Sequence, residues 1–382
     1  MGLDILRAVA LLLVVIRHMT PECPDSYGAF CTGMNAMQRA GWAGVDLFFV
    51  LSGFLVSGLL FREYQKTGKV SLRSFFVRRG LKIYPGFYFL LLAYGFVELQ
   101  WGVGFNWKQF VAEALYVQNY FPRIWNHTWT LAIEEHFYAL IVIVAFIAAA
   151  RGKMRWVLYL APLVLVGPLI GRIIQSATQP GVETLYPSHL RMDSLMFGVI
   201  LSYWFHFSPE TQKAVVHRLR WFLAAAAVPL LAPLFFFEYY HPFMETWGYT
   251  LVYLGFGCLL MLMVHRRWEL KGRFFAAIAF VGAVSYQGYL WHMFCKRFWS
   301  YWRKEQGIDF PYALEFVLYV ALTILVAAVL TRFLESPVLR LRDRLMPSRS
   351  GGLSITAQPV VGSPAIEAVA GQSSLHEGRP NL

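Results

Sequence analysis

The chain has 382 residues, of which 57% are hydrophobic and 17% aromatic, with only 15% charged and a mean hydropathy of +0.48. Apolar runs of roughly 20 residues recur along it, which excludes a soluble domain built on one core and indicates a polytopic membrane protein. The net charge of +12 does not mark a nucleic-acid binder, because it is sorted by loop, and four cysteines make no disulfide scaffold and show no metal-ligand spacing.

Ten spans are predicted, at 3–20, 42–61, 83–101, 129–150, 156–174, 190–206, 221–238, 246–264, 276–297 and 312–333. The first carries Arg7 near its start and His18 near its end. Eleven steps at 3.6 residues per turn complete almost three turns, so the two share a face to within roughly 20° and lie roughly 16 Å apart. Ionisable groups in a span normally face a protein interior or a water-filled cavity. A cleaved signal peptide would need small residues where Arg17-His18-Met19-Thr20-Pro21 stands, so the helix is read as retained. Cys23 and Cys31 follow in one polar loop and could pair if it lies outside the cytoplasm. Cys258 and Cys295 fall in apolar runs and read as packing residues.

The second span opens with Asp46, which either caps the helix or meets an internal partner. The loop 62–82 then ends in Arg78, Arg79 and Lys82. These cations could simply anchor topology. They could also bind phosphates, such as those of a coenzyme A donor, through charge-assisted hydrogen bonds. The outer loop 102–127 leads into His127, Trp129, Glu134, Glu135, His136 and Tyr138. Adjacent residues point about 100° apart on a helix, so one glutamate is expected to enter the bundle, and Glu134 shares a face with Tyr138 and Ile141.

The fifth and seventh spans contain Pro162, Pro168, Pro229 and Pro233, tolerated where neighbours or water satisfy the freed backbone. The sixth opens with Arg191 and Asp193, which read equally well as a structural pair neutralising partners on other helices. The ninth places Ser285, Tyr289 and His292 on one stripe, which either lines a cavity or bonds a neighbouring helix. The spans end at Leu334-Glu335-Ser336-Pro337.

Of 34 Lys and Arg residues, 23 fall with the N-terminus and the loops on its side, and 8 on the opposite side. The bias places both termini in the cytoplasm. Trp125, Trp129, Tyr239, Tyr240, Trp299 and Trp302 sit at span ends, as interfacial belts do. Residues 1–346 form one membrane domain, and 347–382, rich in Ser, Gly, Ala, Pro and Gln, read as a disordered cytoplasmic tail. No internal repeat is evident, which weighs against inverted-repeat transporter plans.

These stretches, in this order, resemble the acyltransferase-3 family of integral-membrane acyltransferases. The resemblance covers roughly residues 3–340. An arginine, ten residues and a histidine are met by Arg7 and His18, and further motifs by the stretches from Asp46 to Phe54, Thr128 to Tyr138, Arg191 to Gly198, Ser285 to His292 and Glu335 to Pro337. The family's basic motif has a second arginine where this chain has Lys82, which keeps charge but loses the bidentate fork. The hydrolase-like domain that some members carry after the spans is not expected here.

The resemblance implies an all-α bundle in the inner membrane that moves an acyl group, acetyl by the family's habit, from cytoplasmic acyl-CoA to a carbohydrate hydroxyl on the other side. No bound cofactor, metal or nucleic acid is expected. His18 is then the base, oriented and made more basic by Glu134 or Glu135. A covalent acyl-histidine stays open. Arg7, Arg78, Arg79 and Lys82 would hold the donor. Asp46, Trp129, Tyr138, Arg191, Asp193, Ser285, Tyr289 and His292 would line the cavity or brace it. The alternative is a sugar-lipid transporter or flippase whose intramembrane charges line a path.

Overall fold

Long runs of Leu, Ala, Val and Phe broken by Gly, Pro and polar clusters leave the backbone one way to satisfy its own hydrogen bonds in lipid, the helix. The computed structural model describes residues 2–19, 28–101, 104–265, 272–308 and 310–347, and among these all regular structure is helical. Helices α1 (Gly2–Arg17), α2 (Ala29–Ala40), α3 (Gly44–Thr67), α4 (Leu72–Trp101) and α5 (Trp107–Ala114) form the first part. They are followed by α6 (Trp129–Ala150), α7 (Ala161–Thr178), α8 (Asp193–Phe207), α9 (Pro209–Leu231) and α10 (Pro233–Phe236). The last five are α11 (Tyr249–His265), α12 (Arg273–Ala283), α13 (Ser285–Gln306), α14 (Tyr312–Leu330) and α15 (Ser336–Leu345).

Among the described residues, seven helical stretches are long and apolar enough to cross a membrane, or eight if the bent pair α12–α13 counts as one span. Helices also occupy the other two predicted positions, but α1 and α8 have only 16 and 15 residues. At 1.5 Å per residue they reach about 24 and 22 Å, short of a hydrocarbon core of about 30 Å. The ninth predicted span is not straight, because α12 and α13 meet at 73°. Gly282, just before the bend, lets α12 press on α1: a Cβ there would stand 1.8 Å from the Asp4 carbonyl oxygen.

The predicted loop 62–82 is mostly helix. The third helix runs on to Thr67, Gly68 caps it in the left-handed conformation (φ 68°), and α4 begins at Leu72. Arg78, Arg79 and Lys82 therefore stand on α4, where Lys82 lies between the two arginines, about 40° from Arg78 and about 60° from Arg79.

The core lies where α3 crosses α8. A Cβ on Gly53 would stand 1.9 Å from the Leu195 carbonyl oxygen, and one on Gly198 2.3 Å from that of Val50. Only small residues allow backbones this close, and packing rather than hydrophobicity must join helices in lipid. Leu92, Phe96, Leu163, Phe222 and Val228 point outward and are exposed, as lipid-facing residues would be. The expected tail from 348 onward and Cys23 lie outside the described residues.

Candidate active site

Among the described residues, three groups of ionisable side chains inside the bundle bear on the site. The first is held by α1, α4, α6 and the turn before α15. Arg7 pairs with Asp4 at 3.2 Å, one turn away on α1, and stands within electrostatic range of Arg79, Lys82 and Glu335. Lys82 donates to Glu335, whose other oxygen accepts from Gln287 Nε2 at 3.1 Å. Arg79 donates to the Tyr138 hydroxyl, lies 4.2 Å from its ring centroid, and reaches Glu134 at 4.0 Å. Ser52 on α3 bonds the same hydroxyl. Glu135 accepts from the Tyr84 hydroxyl at 3.0 Å. The side chains of Arg7, Arg79 and Lys82 keep 24%, 24% and 27% of their surface exposed, against 6% for Glu335. These cations thus keep part of their surface exposed rather than disappear into packing.

Arg78 does not join them. It turns to α15, donating to Asp343 at 3.1 Å and to the Met346 carbonyl. Of the four cations expected at the donor site, Arg78 is the one held against the last helix.

The second group surrounds His18. Its Nδ1 is 2.9 Å from the Val14 carbonyl and 3.3 Å from His292 Nε2 on α13. His292 Nδ1 donates to the Tyr289 carbonyl at 2.6 Å. His127, before α6, stacks edge-on against His292 with ring centroids 4.8 Å apart and donates through Nε2 to the Leu290 carbonyl at 3.1 Å. Thr130 and the Tyr289 hydroxyl close the cluster at 2.8 Å. His127 and His292 are buried while His18 is partly exposed, so His18 is the member that something entering could meet. Neither Glu134 nor Glu135 bonds to His18. The glutamates lie on the α4 side, and the residue that contacts the His18 ring is another histidine.

Arg7 and His18 do share a face of α1. Between them stand Leu11 and Val14, both buried and packed with Tyr289. One helix therefore joins a cationic end to a basic end along an apolar wall.

The third group is structural. Arg191 Nη2 bonds both carboxylate oxygens of Asp46 at 2.9 Å, and Ser194 Oγ donates to one of them at 2.9 Å. Arg191 also lies 3.9 Å from the Tyr249 ring centroid. Asp193 pairs instead with Arg172 at 2.8 Å. All four charged side chains are fully buried, so the expected neighbours Arg191 and Asp193 are parts of two ion pairs linking α3, α7 and α8. Trp129 packs edge-on against Phe49 and Tyr186. Ser285 is buried at the start of α13.

A buried carboxylate supports the site from outside the spans. Glu113 on α5 accepts from Thr128 Oγ1 at 2.8 Å and from the Ile124 amide at 3.1 Å, fixing the loop that carries His127. Burial pushes this carboxyl up to about 7, against the pull of those hydrogen bonds.

Ser52, Glu113, His127, Gln287 and Glu335 were not singled out as site residues in the sequence. Glu335 has a signal, since it opens the motif stretch that closes the spans, and His127 opens the polar run that leads into α6. Ser52 and Gln287 lie inside the stretches Asp46 to Phe54 and Ser285 to His292, but their partners come from distant helices and nothing local marks them.

A family model described as an acyltransferase domain, of the acyltransferase-3 type, matches residues 2–332. The chain is similar to a Staphylococcus aureus (strain COL) protein provisionally named as an O-acetyltransferase, with 26% identity over 361 residues, covering 88% of this chain and 56% of the relative. It is also similar to the O-acetyltransferase OatA of Staphylococcus aureus (strain NCTC 8325 / PS 47), with 27% identity over 369 residues, covering 88% of this chain and 57% of the relative. The chain thus spans little more than half the length of these curated relatives. No solved structure matches it.

Proposed function

This chain belongs to the acyltransferase-3 family, and from that premise we propose that it is a membrane-bound O-acyltransferase. It moves an acyl group, acetyl in the first instance, from cytoplasmic acyl-CoA to a hydroxyl of a cell-surface or secreted carbohydrate. Relatives named as O-acetyltransferases support the reaction class. The observation that carries the reading is the arrangement of α1, which has cations around Arg7 and a partly exposed histidine about 16 Å further along the same face. A phosphate held by the cations could not reach the base directly. A donor with phosphates at one end and a thioester at the end of a long arm could.

In this reading Arg7, Arg79 and Lys82 hold the donor phosphates. The acceptor hydroxyl gives its proton to His18 as its oxygen attacks the thioester carbonyl. The tetrahedral oxyanion collapses, the carbon–sulfur bond breaks, and the proton passes from His18 to the departing thiolate. Glu134 and Glu135 act on the donor side, where they offset the charge of Arg79 and orient it, and not on His18. The membrane would be the plasma membrane, with both termini cytoplasmic, as the distribution of Lys and Arg favours.

The test is purified protein in nanodiscs with radiolabelled acetyl-CoA and a carbohydrate acceptor. Release of free CoA together with label in the carbohydrate is expected. Movement of a sugar-lipid across proteoliposomes without CoA release would favour the transporter reading.

A further inference from the structure

The ring nitrogens of His18 can be assigned from their partners. A carbonyl oxygen only accepts, so the 2.9 Å contact between His18 Nδ1 and the Val14 carbonyl puts the proton on Nδ1. The same reasoning puts a proton on His292 Nδ1, which donates to the Tyr289 carbonyl at 2.6 Å, and leaves a lone pair on His292 Nε2. That lone pair lies 3.3 Å from His18 Nδ1. The His18 Nδ1–H is therefore shared between two acceptors, the Val14 carbonyl and the His292 ring. His18 Nε2 is left with a lone pair and has no partner among the described residues.

We infer that His292 is the positioning residue for His18, fixing it in the tautomer whose Nε2 is free to take a proton. The inference rests on the reading of His18 as the base. In most sites of this kind the acceptor behind the base is a carboxylate or a carbonyl. Here it is a neutral ring whose own orientation is locked. The His292 ring is fully buried, its Nδ1–H is taken by the Tyr289 carbonyl, its own carbonyl accepts from the Tyr319 hydroxyl at 3.2 Å, and His127 closes its far side. Its interaction with His18 joins α13 to α1, so the two helices that line the apolar wall also set the base. During transfer the proton comes from the acceptor hydroxyl onto His18 Nε2 and leaves with the thiolate. His292 gains and loses none.

Two amides separate the two ring nitrogens of His292. The oxygen of a glutamine reaches about as far as Nε2 and can still accept from His18. An asparagine stops near Nδ1 and cannot. His292→Gln should keep kcat within about 10-fold of the parent, and His292→Asn should lose about 10- to 100-fold, the range seen when the partner orienting a metal-bound histidine is removed. The Michaelis constants for acyl-CoA and acceptor should stay put in both. A second measurement does not depend on turnover: nitrogen-15 magnetic resonance of histidine-labelled protein in lipid, with the His18 signals assigned by their loss in His18→Ala. The full-length protein should show a protonated Nδ1 and a bare Nε2 at His18, and His292→Asn should show mixed tautomers. Equal losses in the two amides at normal abundance, or a His18 spectrum unchanged in His292→Asn, would overturn the role of His292. Absence of acyl transfer in the parent would instead defeat the functional reading, and the spectrum would still decide the pairing.

Discussion

Lys82 and Glu335, 253 positions apart in the chain, form an ion pair that ties α4 to the turn before α15. The carboxylate is almost buried and also accepts from Gln287. Removing Glu335 leaves the partly buried ammonium without its counter-charge, and removing Lys82 leaves the carboxylate unpaired with a cation. A double-mutant cycle with Lys82→Met and Glu335→Gln should give a coupling energy of about 0.5–3 kcal/mol, read from thermal unfolding in detergent. Additive effects would mean that the two do not act as a pair.

Asp46 and Arg191 make a harder prediction, because both are fully buried. Asp46→Ala leaves a guanidinium uncompensated inside the bundle and should cost about 3–5 kcal/mol. Abundance and thermal stability should fall together. Replacing both residues with apolar ones of similar volume should recover most of the loss. Protein that still folds with Asp46→Ala should keep its Michaelis constants, since the pair is fully buried and braces helices.

Arg79 and Arg78 are adjacent in sequence and differ in what they meet. Arg79 meets Tyr138 and Glu134, and Arg78 is held by Asp343 and the Met346 carbonyl. Arg79→Lys should lose a bidentate contact worth about 1–3 kcal/mol, a roughly 5- to 150-fold rise in the Michaelis constant for acyl-CoA if binding sets it. Arg78→Lys should leave that constant alone. Steady-state kinetics at fixed acceptor checks both, and equal behaviour of the two variants would contradict the division of roles.

Glu113 offers a pH test outside the spans. Its carboxyl titrates at about 7 when folded, against 4.5 for the ordinary group. The folded state therefore holds a proton that the unfolded chain has already released, so stability is fully present below the lower value and is lost as pH rises through the folded value. Between about pH 5 and about pH 8 the parent should lose more thermal stability than Glu113→Gln, whose amide oxygen can still accept from Thr128 and Ile124. Parallel pH curves for the two would show that Glu113 is not protonated in the fold.

Much of this arrangement was legible in the sequence because it depends on one helix at a time. The shared face of Arg7 and His18 follows from their spacing, and the apolar runs located the helices. The basic stretch reads as a loop because its charges hide the helical continuation on both sides of Gly68. What joins helices was not legible. Nothing near Glu134 indicates that it meets Arg79 rather than His18, and nothing near His292 indicates His18, 274 positions away. The 73° bend between α12 and α13 is not legible in the sequence either.

The central claim is that His18 is the base at one end of a donor site whose cations stand at the other. Turnover of acetyl-CoA by His18→Ala, reconstituted at the abundance and thermal stability of the parent, tests it most directly. The rate should fall by about 100- to 10,000-fold, the usual contribution of a positioned base, while binding of acyl-CoA is unchanged. Turnover near the parental rate in that variant would contradict the account.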